Sequence, residues 1–475
     1  MSKTYISWMV PGIIFCGFVL LYVSMIHFYH EYYLDDGWST SFAYYYTKIG
    51  YEFDYLNGFG LAQPAYFTKT YTFVYGQWAE LFGWGRITHQ FLSVLLSWLG
   101  AWVWMRVFMN LGASRAMAIA FIIALLLTDA FITSAIRTRT EALVFLLGAT
   151  AVWLAVNRYW FWATLTALIA VETHAIGIIY CFFVMTIWII ITDITKLESY
   201  KKALLQVIPA ALLGIGYYLI LHYEHLSSLS EVAASSSGGS FRDNSFLIFY
   251  FWEFGQYRRH MPELFVFVAA YCTLLYFYRD RESLLWRFLV LAPLAILLVE
   301  FLMMRGGGPH YIMHTYPPLI MLAIYAWSRI KMPVYIFPLL VALYMLPQYG
   351  YLVYKNWGFY FPSYIQKVRE HSERIDADIF VGTDAQWFAF NHDLESALRF
   401  NSEVHPQLMD KIKDEYFVWI NDYNRDNFVR VPFHSTSSFS ATIFQNCPME
   451  VLSSFNYGGH RVQFEAYDCS RRTSY

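Results

Sequence analysis

Charge is scarce in this sequence. Asp, Glu, Lys and Arg make up 14% of its 475 residues, against about a quarter in an ordinary soluble domain, which excludes a soluble globule of this length. The few charges nearly cancel, with 33 Lys and Arg against 35 Asp and Glu, so no global field invites a nucleic-acid partner. Five cysteines are too few for a disulfide-dense scaffold. Also missing are a close His/Cys pattern for a metal, a glycine-rich nucleotide loop followed by Lys and Ser or Thr, and a Gly-x-Ser-x-Gly nucleophile elbow. No repeat of solenoid period occurs. What remains is apolar: 57% of the residues are hydrophobic and 20% aromatic, the composition of a polytopic α-helical membrane protein.

Apolar windows that could cross a hydrocarbon core as helix fall near 8–28, 89–109, 116–136, 141–156, 159–173, 175–192, 203–222, 262–278, 284–304, 314–328 and 333–352. That pattern predicts about eleven transmembrane helices, two of them short, with Glu172-Thr173-His174 interrupting one long apolar stretch. The first span carries no small-residue cleavage site and reads as an uncleaved anchor. A cytoplasmic N-terminus puts Lys3, Arg106, Arg115, Arg158, Lys196, Lys201, Lys202, Arg279, Arg281, Arg287, Arg329 and Lys331 in short inner loops, as the positive-inside bias requires. The segments 30–88 and 223–261 and the tail are then external.

Residues 1–354 read as the transmembrane catalytic domain and 355–475 as a small external α/β domain, with strand-like runs at Ile379-Phe380-Val381, Tyr416–Ile420 and Arg461–Phe464. Helix-like sequence lies between them at 363–375 and 405–414. Loop 30–88 is crowded with Tyr, Phe and Trp and reads as interfacial helices roofing a cavity. The Ser- and Gly-rich stretch 227–240 reads as a lid or linker. Cys16, Cys181 and Cys272 fall in spans and read as small buried hydrophobes. Cys447 and Cys469 stand alone in the external tail, where an oxidising compartment predicts a disulfide between them.

Against this frame some charges stand out. Asp35 and Asp36 emerge just after the first span, and a carboxylate pair at a membrane face suits a base beside a lipid head group. Lys48, Lys69, Arg86, Arg137, Arg139, Arg242, Arg258, Arg259 and Arg305 fall on the external face of the membrane domain, against the positive-inside bias. Arginines clustered at helix ends are what a phosphate head group requires, because the guanidinium donates paired hydrogen bonds. The tightest groups are Arg137-Thr138-Arg139-Thr140-Glu141 and Arg305-Gly306-Gly307-Gly308-Pro309-His310-Tyr311. Asp129 and Glu300 lie within apolar spans, where an acid defaults to a functional or pairing role.

This combination resembles the GT-C superfamily of integral-membrane glycosyltransferases. The resemblance rests on Asp35-Asp36, on Pro64–Lys69 and Leu81–Arg86 in the aromatic first loop, and on the turn Arg139–Leu143. His174, the segment from His310-Tyr311 to Pro317-Pro318, and the external tail complete it. The sequence departs from the pattern in carrying Asp-Asp where many relatives have Asp-Glu, and Gln63-Pro64 with Lys69 displaced where they have a Lys- or His-Pro-Pro stretch.

The resemblance implies inverting transfer of a sugar from a polyprenyl-phosphate donor to a glycan, lipid or protein acceptor. The setting it implies is the external, periplasmic side of a bacterial inner membrane. Asp35 or Asp36 would serve as catalytic base; Lys69, Arg137, Arg139, Arg258, Arg259 and Arg305 would bind the donor phosphate; Glu141, His174, His310 and Tyr311 would contact substrate. No nucleic acid enters this reading, and the resemblance fixes no cofactor while leaving room for a divalent metal. Two other readings compete. A transporter or flippase of a lipid-linked glycan predicts repeat symmetry with broken helices in both halves, which the sequence does not carry. A receptor built on the tail leaves the acidic pair without a role.

Overall fold

The structure, a computed structural model, describes residues 3–28, 35–50, 56, 69–192, 197–223, 261–277, 281–303, 312–402, 416–424 and 448–468. The first helix α1 (Lys3–Phe28) is followed by two helices of the long first loop, α2 (Asp35–Ile49) and α3 (Lys69–Phe82). A helical bundle follows: α4 (Arg86–Asn110), α5 (Arg115–Leu127), α6 (Asp129–Ala135), α7 (Glu141–Val156), α8 (Trp160–Thr173), α9 (Ile178–Ile191) and α10 (Leu197–His222). It continues with α11 (Met261–Tyr276), α12 (Leu284–Met303), α13 (Ile312–Arg329) and α14 (Ile336–Lys355).

Among the described residues, three helices are long and apolar enough to cross a membrane: Arg86–Asn110, Ala203–His222 and Ile336–Lys355. A fourth counts if α5 and α6, bent by 65°, are one broken span. Shorter apolar helical stretches of 10–17 residues lie at Ile14–Phe28, Glu141–Val156, Trp160–Thr173, Ala175–Ile191, Glu263–Tyr276 and Leu284–Val299. A helix of 14 residues such as α8 rises about 21 Å, short of a core about 30 Å thick, so the described residues do not confirm the count of about eleven spans, two of them short, read from the sequence. Two of the breaks have visible causes. Thr128 is extended and its hydroxyl donates to the Leu125 carbonyl at 2.9 Å, closing α5 before Asp129 opens α6. His174 is extended too, and its Nδ1 accepts the Ile176 amide at 3.2 Å. Gly177 then packs so tightly that a Cβ there would lie 2.3 Å from the Ala170 carbonyl oxygen, which only glycine escapes.

Cys16 and Cys272 are exposed and Cys181 is partly exposed. Cys16 and Cys272 thus sit on outward faces of their helices, not in the core as the sequence suggested, whereas Cys181 packs against the core.

Beyond α14, the helix α15 (Phe361–Ser372) and the short α16 (Leu394–Leu398) accompany a five-stranded mixed sheet of order β2-β1-β3-β5-β4. Its strands are β1 (Phe380–Gly382), β2 (Phe400–Ser402), β3 (Tyr416–Asn424), β4 (Met449–Tyr457) and β5 (His460–Asp468). Strand β1 runs parallel to β2 and β3, while β5 is antiparallel to β3 and β4. Gly458 and Gly459 both have positive φ (53° and 87°) and pair Tyr457 with His460, the two-residue hairpin turn that needs left-handed residues at both positions.

The first loop and the tail share one core. Tyr44, Tyr45 and Leu56 are buried together with Phe361, Tyr364 and Trp387. The Tyr45 hydroxyl donates to the Ala397 carbonyl at 2.9 Å and accepts from Trp387 Nε1 at 3.3 Å. Burial, then the Asp393 and Glu80 charges, push the Tyr44 phenol up to about 12. Gly37 meets the turn 384–389 so closely that a Cβ would lie 1.9 Å from the Asp384 carbonyl oxygen. The helix that begins with the acidic pair is thereby seated on the tail.

Candidate active site

The buried polar groups converge where α2, α3, α4 and the turn between α6 and α7 meet. Asp36 is 1% exposed and fully engaged. Its Oδ2 accepts from Arg86 Nε at 3.1 Å and Nη2 at 3.0 Å, and its Oδ1 accepts the Thr138 amide at 3.2 Å. The Thr138 hydroxyl donates to the Asp36 carbonyl at 2.8 Å and accepts from Thr40 at 3.2 Å. Two tyrosines of α3 complete the frame: Tyr71 donates to the Thr138 carbonyl at 2.8 Å, and Tyr75 donates to the Arg139 carbonyl at 3.4 Å. The Arg86 guanidinium also lies over the Phe361 ring of the tail at 4.4 Å. A buried carboxylate is tolerable only with partners of this kind.

Asp35, one residue earlier, is the first residue of α2. Its side chain lies outside the described residues.

The bent pair α5–α6 delivers the Arg137–Thr140 turn to this frame. Arg137 and Arg139 are buried at 4% and 9% exposure, and Arg139 Nη2 stands 3.1 Å from Glu141 Oε1. Glu141 lies within electrostatic range of both His174 and His314. His314 is wholly buried; its Nδ1 is 2.8 Å from the Tyr180 hydroxyl and its Nε2 has no hydrogen-bond partner among the described residues. Lys69 begins α3, beside Thr70, which bonds to the buried Glu172.

Of the residues picked from sequence, Asp36, Arg137, Arg139, Glu141 and His174 are thus brought to one region, and Lys69 begins the helix that carries Tyr71 and Tyr75. Arg258, Arg259, Arg305, His310, Tyr311, Arg242, Cys447 and Cys469 lie outside the described residues, as does the side chain of Glu300. Asp129, the other intramembrane acid, is the first residue of α6, where the helix dipole favours a negative group. Sequence reasoning missed the site roles of Arg86, Thr138, Tyr71 and Tyr75, and passed over His314 four residues beyond His310.

Among the described residues no group of three His, Cys, Asp or Glu side chains is arranged to hold a metal ion. Both Asp36 oxygens are already taken by Arg86 and Thr138.

Between α5, α11, α13 and α14 lies an apolar cavity of about 420 Å³, lined by Ala124, Phe267, Ile320, Ala323, Phe337 and Met345 among others. Thr128, Glu263 and Thr273 also line it, and Glu263 accepts a hydrogen bond from Tyr316.

No family model and no curated protein matches the chain. Among solved structures it is similar over its whole length to ArnT from Cupriavidus metallidurans in the apo state, with a TM-score of 0.64, 12% identity and 100% of each chain covered. A looser likeness, with a TM-score of 0.47 and 11% identity, covers 85% of this chain and 67% of the Archaeoglobus fulgidus oligosaccharyltransferase. At such identity the likeness to ArnT is one of fold alone.

Proposed function

We propose that the chain, whose fold is like that of ArnT, is an inverting GT-C glycosyltransferase that moves a sugar from a polyprenyl-phosphate donor to an acceptor hydroxyl at the external face of the membrane. The observation that carries the reading is the complete engagement of Asp36 by Arg86 and Thr138. A carboxylate so held is a clamp on the start of α2, and it leaves the neighbouring Asp35 as the acid available for chemistry. Asp35 takes the proton of the acceptor hydroxyl as its oxygen attacks the anomeric carbon. The bond from that carbon to the phosphate oxygen breaks, and its electron pair leaves with the phosphate. Arg137, Arg139 and Lys69 stabilise the developing charge, with Arg258, Arg259 and Arg305 as further candidates.

Glu141, His174 and His314 form the polar wall beside Arg139, the wall proposed to meet the donor sugar. His310 and Tyr311 keep their proposed substrate contact. The cavity lined by Phe267, Ile320 and Met345 suits the apolar chain of a polyprenyl donor. The enzyme is read as standing in a bacterial inner membrane with its tail periplasmic. A transferase of this kind adds a hexose, pentose or amino sugar, and the mass of lipid-linked and envelope glycan from cells with and without the protein tests it. Loss of one sugar mass from the acceptor, with the donor lipid accumulating, is expected; identical glycans in both cells would overturn the reading.

A further inference from the structure

Glu172 and His222 are both wholly unexposed, and the reaction just described uses neither. Glu172 stands at the end of α8, next to last in a helix whose other residues carry no charge. Its Oε2 accepts from the Thr70 amide at 3.3 Å and from the Thr70 hydroxyl. Its Oε1 lies 3.2 Å from His222 Nε2, at the last residue of α10. The Tyr217 hydroxyl, also on α10, is 2.9 Å from the Thr70 hydroxyl.

Four side chains from three helices thus meet at the start of α3. That helix has no acidic residue in its own first turn, and its first amides have no partner inside the helix. Glu172 supplies from α8 the negative group that such an N-terminus favours. Burying a carboxylate for this purpose costs desolvation.

What the buried carboxylate adds is a fixed place for the residue before Thr70. Lys69 is partly buried, and among the described residues no carboxylate pairs with its ammonium. The network fixes the backbone on one side of Lys69, and no acidic side chain among the described residues competes with an anion for its ammonium. Glu172 is also two residues from His174, which lies within electrostatic range of Glu141.

We propose that Glu172, held by His222, is a positioning residue that sets Lys69 against the phosphate of the lipid donor. The proposal rests on the glycosyltransferase reading and assigns Glu172 no contact with substrate. A mere staple between helices would add its effect to any other; a positioning residue acts through Lys69, so its effect disappears when Lys69 is gone.

The test is binding of a sugar-free polyprenyl phosphate to the full-length protein in detergent, followed by native mass spectrometry, with the corresponding polyprenol as the phosphate-free control. Lys69→Ala, Glu172→Gln and Thr70→Val are each expected to weaken polyprenyl phosphate binding about tenfold while leaving polyprenol binding unchanged. Thr70→Ser, which restores the hydroxyl, returns the affinity to that of the wild type. In the Lys69→Ala background, Glu172→Gln is expected to add less than about twofold. Should Glu172→Gln not fold, the Thr70 pair carries the same comparison.

A full tenfold effect of Glu172→Gln or Thr70→Val on top of Lys69→Ala would overturn the proposal, as would wild-type affinity in Lys69→Ala. In either case binding of polyprenyl phosphate by the wild type leaves the glycosyltransferase reading standing. Failure of the wild type to distinguish polyprenyl phosphate from polyprenol would remove both.

Discussion

Replacing Arg86 with Ala is expected to destabilise the protein far more than removing any surface charge. The substitution strips Asp36 Oδ2 of both its donors, at 3.1 and 3.0 Å, and leaves a carboxylate 1% exposed with only the Thr138 amide on its other oxygen. Removing one partner of a buried ion pair costs about 3–5 kcal/mol. The stacking of the guanidinium on Phe361 is lost as well, so the tail loosens with the site. The Lys48–Glu80 pair, with side chains 36% and 40% exposed, is the control: its loss costs about 0–1 kcal/mol. Arg86→Lys keeps the charge but loses the planar fork that reaches Oδ2 from two nitrogens, and falls between the two. Asp36→Leu combined with Arg86→Met removes both charges and recovers most of the stability, without recovering activity. Unfolding of the purified protein in mixed micelles titrated with a denaturing detergent measures these differences. An Arg86→Ala variant within about 1 kcal/mol of wild type would refute the view that Asp36 is a buried clamp.

Three further outcomes are expected. Gly37→Ala drives a Cβ against the Asp384 carbonyl, so stability falls by about 1–3 kcal/mol and turnover drops with it, whereas Gly17→Ala, with no atom near its Cβ, is silent; thermal unfolding and initial rates report both. Burial, then the Arg374 and Lys367 charges, hold His371 below its ordinary value of 6.5. Its neutral form is favoured in the fold, so its contribution is complete above 6.5 and is lost as pH falls toward the lowered value; the melting temperature of the tail falls with acidification, less so in His371→Gln. Arg137→Ala loses charge-assisted hydrogen bonds worth about 1.5–3 kcal/mol and weakens donor use roughly ten- to a hundredfold in vesicle assays. It is a cleaner variant than Arg139→Ala, which also uncovers Glu141.

The membrane class and the acidic pair were legible in the sequence because each follows from local composition: long apolar runs, and two carboxylates where a span ends. The pairing of Asp36 was not. Asp36 is paired with Arg86 and Thr138, 50 and 102 positions away, and Glu172 with Thr70, 102 positions away, and no local pattern announces such partners. Window hydropathy also read 116–136 as one straight span, although Thr128 breaks it by 65°, because a single capping hydroxyl barely changes a hydropathy average. Cys16 and Cys272 face outward for a related reason: lipid is as apolar as the protein core, so hydrophobicity alone does not tell inside from outside.

The measurement that bears most directly on the account is the turnover of Asp35→Asn beside Asp36→Asn, with donor and acceptor identified by glycan mass. Asp35→Asn is predicted to fold and bind polyprenyl phosphate as the wild type does while turning over about 10²–10⁴-fold more slowly, whereas Asp36→Asn loses stability together with activity. Normal turnover in Asp35→Asn would contradict the assignment of Asp35 as the base and with it the proposed mechanism.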